Sequence, residues 1–135
     1  MILKLLAFGI LLGFSHVEAC GWNFTANKGI LKSPNYPGHY DNNAHCVWTI
    51  TTEPGTRVRL AFDSFEVEQN ESCAYDSIVI RDGNDPTAYL LGKLCGSAIP
   101  SPVTSSGNVM YLEFTSDNVT EHLGFEARWT AGQNY

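Results

Sequence analysis

Apolar and polar residues alternate along five short stretches of the chain. Cys46, Trp48 and Ile50 fall on one side of residues 46–50, with Val47 and Thr49 between them. Val58, Leu60 and Phe62 alternate with Arg57, Arg59 and Ala61, and Ile78 and Ile80 flank Val79. Met110, Leu112 and Phe114 alternate with Tyr111, Glu113 and Thr115, as do Phe125, Ala127 and Trp129 with Glu126 and Arg128. A period of two puts every second side chain on one face, which predicts half-buried antiparallel strands. Clusters rich in Pro, Gly, Asn, Asp and Ser separate them, at residues 33–38, 53–55, 82–86 and 105–108. No stretch carries a helical period. Short strands with frequent turns predict an all-β chain folded as a compact antiparallel β-sandwich. Without a repeat, linker or low-complexity segment, one domain is expected over residues 20–130, with a short C-terminal tail at 131–135.

The first residues break this pattern. Lys4 precedes an apolar run over residues 5–14, and Val17 and Ala19 are small or apolar residues just before Cys20. This is the layout of a secretory signal peptide, residues 1–19, cleaved after Ala19. The run is shorter than the roughly 20 residues a membrane span needs. A secreted, extracellular product is therefore expected, with no membrane span. The 135 residues are 44% apolar, which argues against wholesale disorder. Eight basic and 14 acidic residues give a formal net charge of −6, and no Lys/Arg-rich run occurs. Neutralising a phosphate backbone needs clustered cations, so no nucleic-acid partner is expected.

The remaining cysteines, Cys20, Cys46, Cys73 and Cys95, form no C-x-x-C and no zinc-finger spacing with histidine. In an oxidising compartment they read as two disulfides, with three pairings open. Pairing neighbours in sequence would close two loops of roughly 25 residues, each contributing about 3 kcal/mol in the chain-entropy view. Asn23, Asn70 and Asn118 each begin an N-x-[ST] sequon, a surface signature in a secreted glycoprotein.

A longer order of residues points to a family. Cys20-Gly21 is followed by Gly29-Ile30-Leu31-Lys32-Ser33-Pro34-Asn35-Tyr36-Pro37, Tyr40, Cys46-Val47-Trp48-Thr49-Ile50 and Gly55. Then come Leu60-Ala61-Phe62-Asp63-Ser64-Phe65-Glu66-Val67-Glu68, Cys73-Ala74-Tyr75-Asp76 and Ile80-Arg81-Asp82-Gly83. Gly92-Lys93-Leu94-Cys95-Gly96, Ser105-Ser106-Gly107-Asn108, Phe114-Thr115-Ser116-Asp117 and Gly124-Phe125-Glu126-Ala127 close the series. This ordered set resembles the CUB domain family over about residues 20–130. The resemblance implies a jelly-roll-type sandwich, disulfides 20–46 and 73–95, and an extracellular binding module rather than a catalyst. Trp22 stands where a second glycine is common and Trp129 where Tyr is more usual. Neither departure touches the expected chemistry.

Many CUB domains bind calcium, and the family's acid positions fall on Glu68, Asp76 and Asp117 in this sequence. The resemblance also implies a backbone carbonyl from the loop after Asp117, near Val119. The chemistry is coherent: calcium is a hard cation that takes six to eight oxygen ligands at roughly 2.3–2.6 Å. Crowded carboxylates without a cation repel one another. Tyr36 matches a family tyrosine near the calcium end and is expected in partner contact. By resemblance, a partner's Lys or Arg docks beside the ion and pairs with Glu68, Asp76 and Asp117 through charge-assisted bonds. Glycans on Asn70 or Asn118 would lie near that surface. Asp63, Glu66 and Glu71 read as ordinary solvated acids.

No H-E-x-x-H, G-x-S-x-G or phosphate-cradling loop occurs, so no enzyme is expected. The expected function is calcium-dependent recognition of an exposed Lys or Arg on an extracellular protein. Two other readings stand beside it. One is a spermadhesin-like protein binding glycan or lipid, although spermadhesins tend to lack the full acid set. The other is a structural matrix or coat component.

Overall fold

The structure, a computed structural model, describes residues 20–118 and 122–133. The segment read as a signal peptide and Val119 lie outside the described residues. Among the described residues nine strands follow in chain order: β1 (Cys20–Thr25), β2 (Lys28–Lys32), β3 (His45–Thr51), β4 (Thr56–Glu66), β5 (Ser77–Asp82), β6 (Tyr89–Leu94), β7 (Val103–Thr104), β8 (Val109–Thr115) and β9 (Gly124–Gln133). They form a five-stranded sheet, β1-β3-β8-β5-β6, and a four-stranded sheet, β2-β9-β4-β7.

The alternating positions face inward between the sheets. Cys46, Ile50, Val58, Leu60, Ile78, Ile80, Met110, Leu112, Phe114 and Phe125 are fully buried. Phe125 sits at the centre of an aromatic cluster. Its ring lies edge-on to Trp48, Phe62 and Phe114, with centroids 5.9, 5.9 and 5.4 Å away. Such tilted pairs add to the large apolar area that each ring removes from water.

Two features depart from the expected layout. The fold is a sandwich rich in antiparallel pairs, but β1 runs parallel to β3, with Cys20 opposite Cys46 and those two residues bridged. Gly21 permits this approach. Its φ is +103°, and a Cβ there would lie 2.0 Å from the Val47 carbonyl oxygen. The other departure is at the C-terminus. β9 continues to Gln133, where Ala131, Gly132 and Gln133 pair with Val58, Arg57 and Thr56, so the strand enters the stretch expected to be a tail.

Candidate metal centre

Three strand ends deliver the candidate acids. Glu68 follows β4, Asp76 immediately precedes β5, and Asp117 follows β8. They come from distant parts of the sequence, yet one carboxylate oxygen from each lies within 4.8 Å of the others. Two oxygens on opposite sides of one calcium ion stand about 4.6–5.2 Å apart, twice the usual calcium–oxygen distance. The spread therefore fits ligands of a common ion of that size. Asp76 is fully buried, and Oε1 of Glu68 is also sealed from solvent. Hard carboxylate oxygens, gathered with no soft ligand among them, suit calcium rather than zinc.

The acids are oriented by a buried hydroxyl. Tyr40 is completely buried and packs edge-on against Phe114, with centroids 4.9 Å apart. Its hydroxyl donates to Oδ2 of Asp76 at 2.5 Å and accepts the backbone N–H of Glu68 at 3.2 Å. Burial above all, then the bond to Asp76, pushes the Tyr40 phenol far above its ordinary range, so it remains a donor. Oδ1 of Asp76 accepts the backbone N–H of Asp117 at 2.8 Å. Each carboxylate oxygen has two lone pairs, so Asp76 can hold these bonds and still face a cation.

A turn grips the Asp117 corner from the other side. The carbonyl of Asp117 accepts the N–H of Asn43 at 2.8 Å. Oγ of Ser116 donates to the Asp41 carbonyl at 2.7 Å and accepts the N–H of Ala44 at 2.8 Å. The second disulfide, Cys73–Cys95, ties the loop before Asp76 to the end of β6. One residue further, Gly96 exchanges backbone hydrogen bonds with Val67, the neighbour of Glu68. Glu68 and Asp76 are thus linked through the same short stretch.

Other candidate residues are placed differently. The Tyr36 hydroxyl is hydrogen-bonded to Oγ of Ser64 on β4. Asp63 pairs with Arg128 at 2.6 Å, and Glu66 lies 3.3 Å from the His122 ring. Among the sequon residues, Asn23 is exposed and its Oδ1 accepts the Thr49 hydroxyl. Oδ1 of Asn70 accepts the N–H of Ala74, which folds the loop before Asp76, and Asn118 is exposed. Sequence reasoning assigned no role to Tyr40 or Ser116. Tyr40 stood in the family pattern, but nothing local marks a tyrosine as a brace for two distant loops.

The chain is similar to several known proteins over most of its length. The model of the CUB domain matches residues 20–129. Tolloid-like protein 1 of Mus musculus is 43% identical over 108 residues, which cover 80% of this chain and 11% of that protein. Cubilin of Homo sapiens is 41% identical over 120 residues, covering 85% of this chain and 3% of that protein. The chain thus spans a small part of these relatives. Among solved structures, the CUB1-EGF-CUB2 domain of human MASP-1/3 aligns with a TM-score of 0.76 at 33% identity, over 86% of this chain and 43% of that one. The MASP-1 CUB2 domain bound to Ca2+ aligns with a TM-score of 0.75 at 33% identity, over 84% of this chain and all of that one. Fold and sequence match together over nearly all the described residues, and the chain belongs to the CUB domain family.

Proposed function

We propose that this chain is a secreted, calcium-dependent binding module that receives a Lys or Arg side chain of an extracellular protein beside the ion. One observation carries the reading: the carboxylate oxygens of Glu68, Asp76 and Asp117 gather within 4.8 Å of one another. The calcium-bound state of the similar MASP-1 CUB2 domain supports it. Glu68, Asp76 and Asp117 would hold the ion, together with a backbone carbonyl near Val119. Bound calcium changes the formal charge of the three acids from −3 to −1. The carboxylates keep lone pairs that accept hydrogen bonds from a partner's ammonium or guanidinium group, and Tyr36 would contribute to that contact. A contact of this kind is small and salt-sensitive, so useful affinity needs further contacts or several copies. The role is binding, not catalysis.

Thermal unfolding in millimolar calcium and in EDTA tests the ion site. Calcium that binds the native state raises the midpoint by mass action, and Asp117→Ala abolishes that rise. An unchanged midpoint in the unmodified protein would falsify the site. Docking is tested separately by capture of a Lys-rich protein on immobilised domain. Capture should vanish in EDTA and with Asp117→Ala, and capture that survives both moves recognition to another surface.

A further inference from the structure

A second surface stands out by its charge. The described residues include seven Lys and Arg, and five of them, Lys28, Lys32, Arg57, Arg59 and Arg128, belong to β2, β4 and β9 of the four-stranded sheet. They occupy the positions between the buried Leu31, Val58, Leu60, Ala127 and Trp129, which places all five on the outer face. In sequence they are scattered over a hundred positions. Strand pairing collects them on one side of a protein whose net charge is −6.

One of the five is engaged with an acid on the same face, and a second has an acid as its neighbour in the ladder. Arg128 is held by Asp63 through bonds of 2.6–3.2 Å, and Lys32 lies opposite Glu126 in the ladder. Lys28, Arg57 and Arg59 form no ion pair among the described residues. Glu53, the acid in the turn before β4, has its carboxylate bonded by the Asn27 side chain. Arg57 adds an independent observation. Its Nε is buried and has no hydrogen-bond partner among the described residues, while Gly132 faces it across the ladder.

The register sets the spacing. Lys28 pairs with Thr130, Thr130 with Arg59, and Arg59 with Thr104. The row therefore alternates cation and hydroxyl across all four strands. With strands about 4.8 Å apart, the Lys28 and Arg59 backbones are about 10 Å apart, and Arg57 lies about 7 Å from Arg59 along β4. Lys28, Arg59, Thr104, Arg128 and Thr130 are exposed, so this face is open to an occupant.

We propose that the outer face of the four-stranded sheet docks a sulfated glycosaminoglycan, centred on Lys28, Arg57 and Arg59. A guanidinium fork matches the paired oxygens of a sulfate, and the threonine hydroxyls can donate to oxygens between the cations. The row crosses all four strands of the sheet, which suits an extended polyanion. Its apolar members on this face are Ile30 and Ala61, with no aromatic ring to stack on a base or to enter a bilayer. Charges more than about 8 Å away are largely screened at physiological ionic strength, so the local row decides what an approaching anion meets. This surface is separate from the acid cluster and needs no calcium.

The test is titration of the domain with a defined heparin oligosaccharide in 0.15 M NaCl, followed by a salt series. Lys28→Ala and Arg59→Ala should each weaken binding several-fold and together more than tenfold. The slope of log affinity against log salt should become shallower by about one for each cation removed. Lys93→Ala, on the other sheet, and EDTA should change nothing. The proposal is overturned by absence of binding at 0.15 M NaCl, by an equal loss in Lys93→Ala, or by loss of binding in EDTA. Equal capture by phosphatidylserine vesicles overturns it in favour of a lipid surface. Because calcium is absent from the expected behaviour, these results stand whether or not the acid cluster binds the ion.

Discussion

The interior around Phe125 and the end that carries Glu68, Asp76 and Asp117 are held by different forces. Around Phe125, side chains from both sheets meet as tilted rings and branched aliphatics. Nothing there depends on an ion. At the acid end, three like charges are brought together by one tyrosine hydroxyl, backbone amides and a disulfide. The core fixes where the strand ends emerge. The acid end uses those positions to gather carboxylates whose mutual repulsion a cation would relieve. Packing therefore sets the protein's basal stability, and with the proposed calcium site the acid end would make part of that stability respond to solution.

The strongest test removes the centre of the core. Phe125 is fully buried, and Phe125→Ala should cost about 3–5 kcal/mol through lost burial and a residual cavity. Urea unfolding should give the same loss in calcium and in EDTA. A loss that calcium erased would mean that the two regions are not separately held.

The two disulfides sharpen the contrast. Cys20–Cys46 staples two strands that already pair, whereas Cys73–Cys95 restrains the loop that leads to Asp76. Their sequence separations, 26 and 22, are similar, so replacing either pair by alanine should cost a comparable amount, about 2–5 kcal/mol. Calcium titration should separate them. The Cys73→Ala, Cys95→Ala variant should bind calcium more weakly, and the Cys20→Ala, Cys46→Ala variant should bind it as before. Equal affinities in the two variants would remove the role given to the second bridge.

The same contrast explains what could be read from the sequence. Strands β3, β4, β5, β8 and β9 were legible because one face of each is buried, which imposes the period of two. The edge strands β1, β2, β6 and β7 are less buried, so their patterns are weak. The parallel β1–β3 pair depends on Gly21 meeting Val47, a contact between residues 26 positions apart. The acids were found through the family pattern, since Glu68, Asp76 and Asp117 look locally like any loop carboxylates. The brace from Tyr40 and the basic face over β2, β9 and β4 arise only from tertiary pairing, which no local window contains.

The finest test exchanges single hydroxyls. Tyr40→Phe keeps the ring against Phe114 and removes the donor to Asp76 and the acceptor for the Glu68 amide. Leaving a buried carboxylate without one of its bonds should cost about 1–3 kcal/mol. An ion's affinity also depends on the groups that orient its ligands, and loss of such a group typically weakens binding about 10–100-fold. Tyr40→Phe should therefore lower both stability in EDTA and calcium affinity. Tyr36→Phe is the matched control, because that hydroxyl bonds Ser64 on β4. It should leave calcium affinity unchanged. A Tyr40→Phe protein with ordinary calcium affinity would show that the strand ends alone place the acids, and the acid end would then be as much a product of the core as Phe125 is.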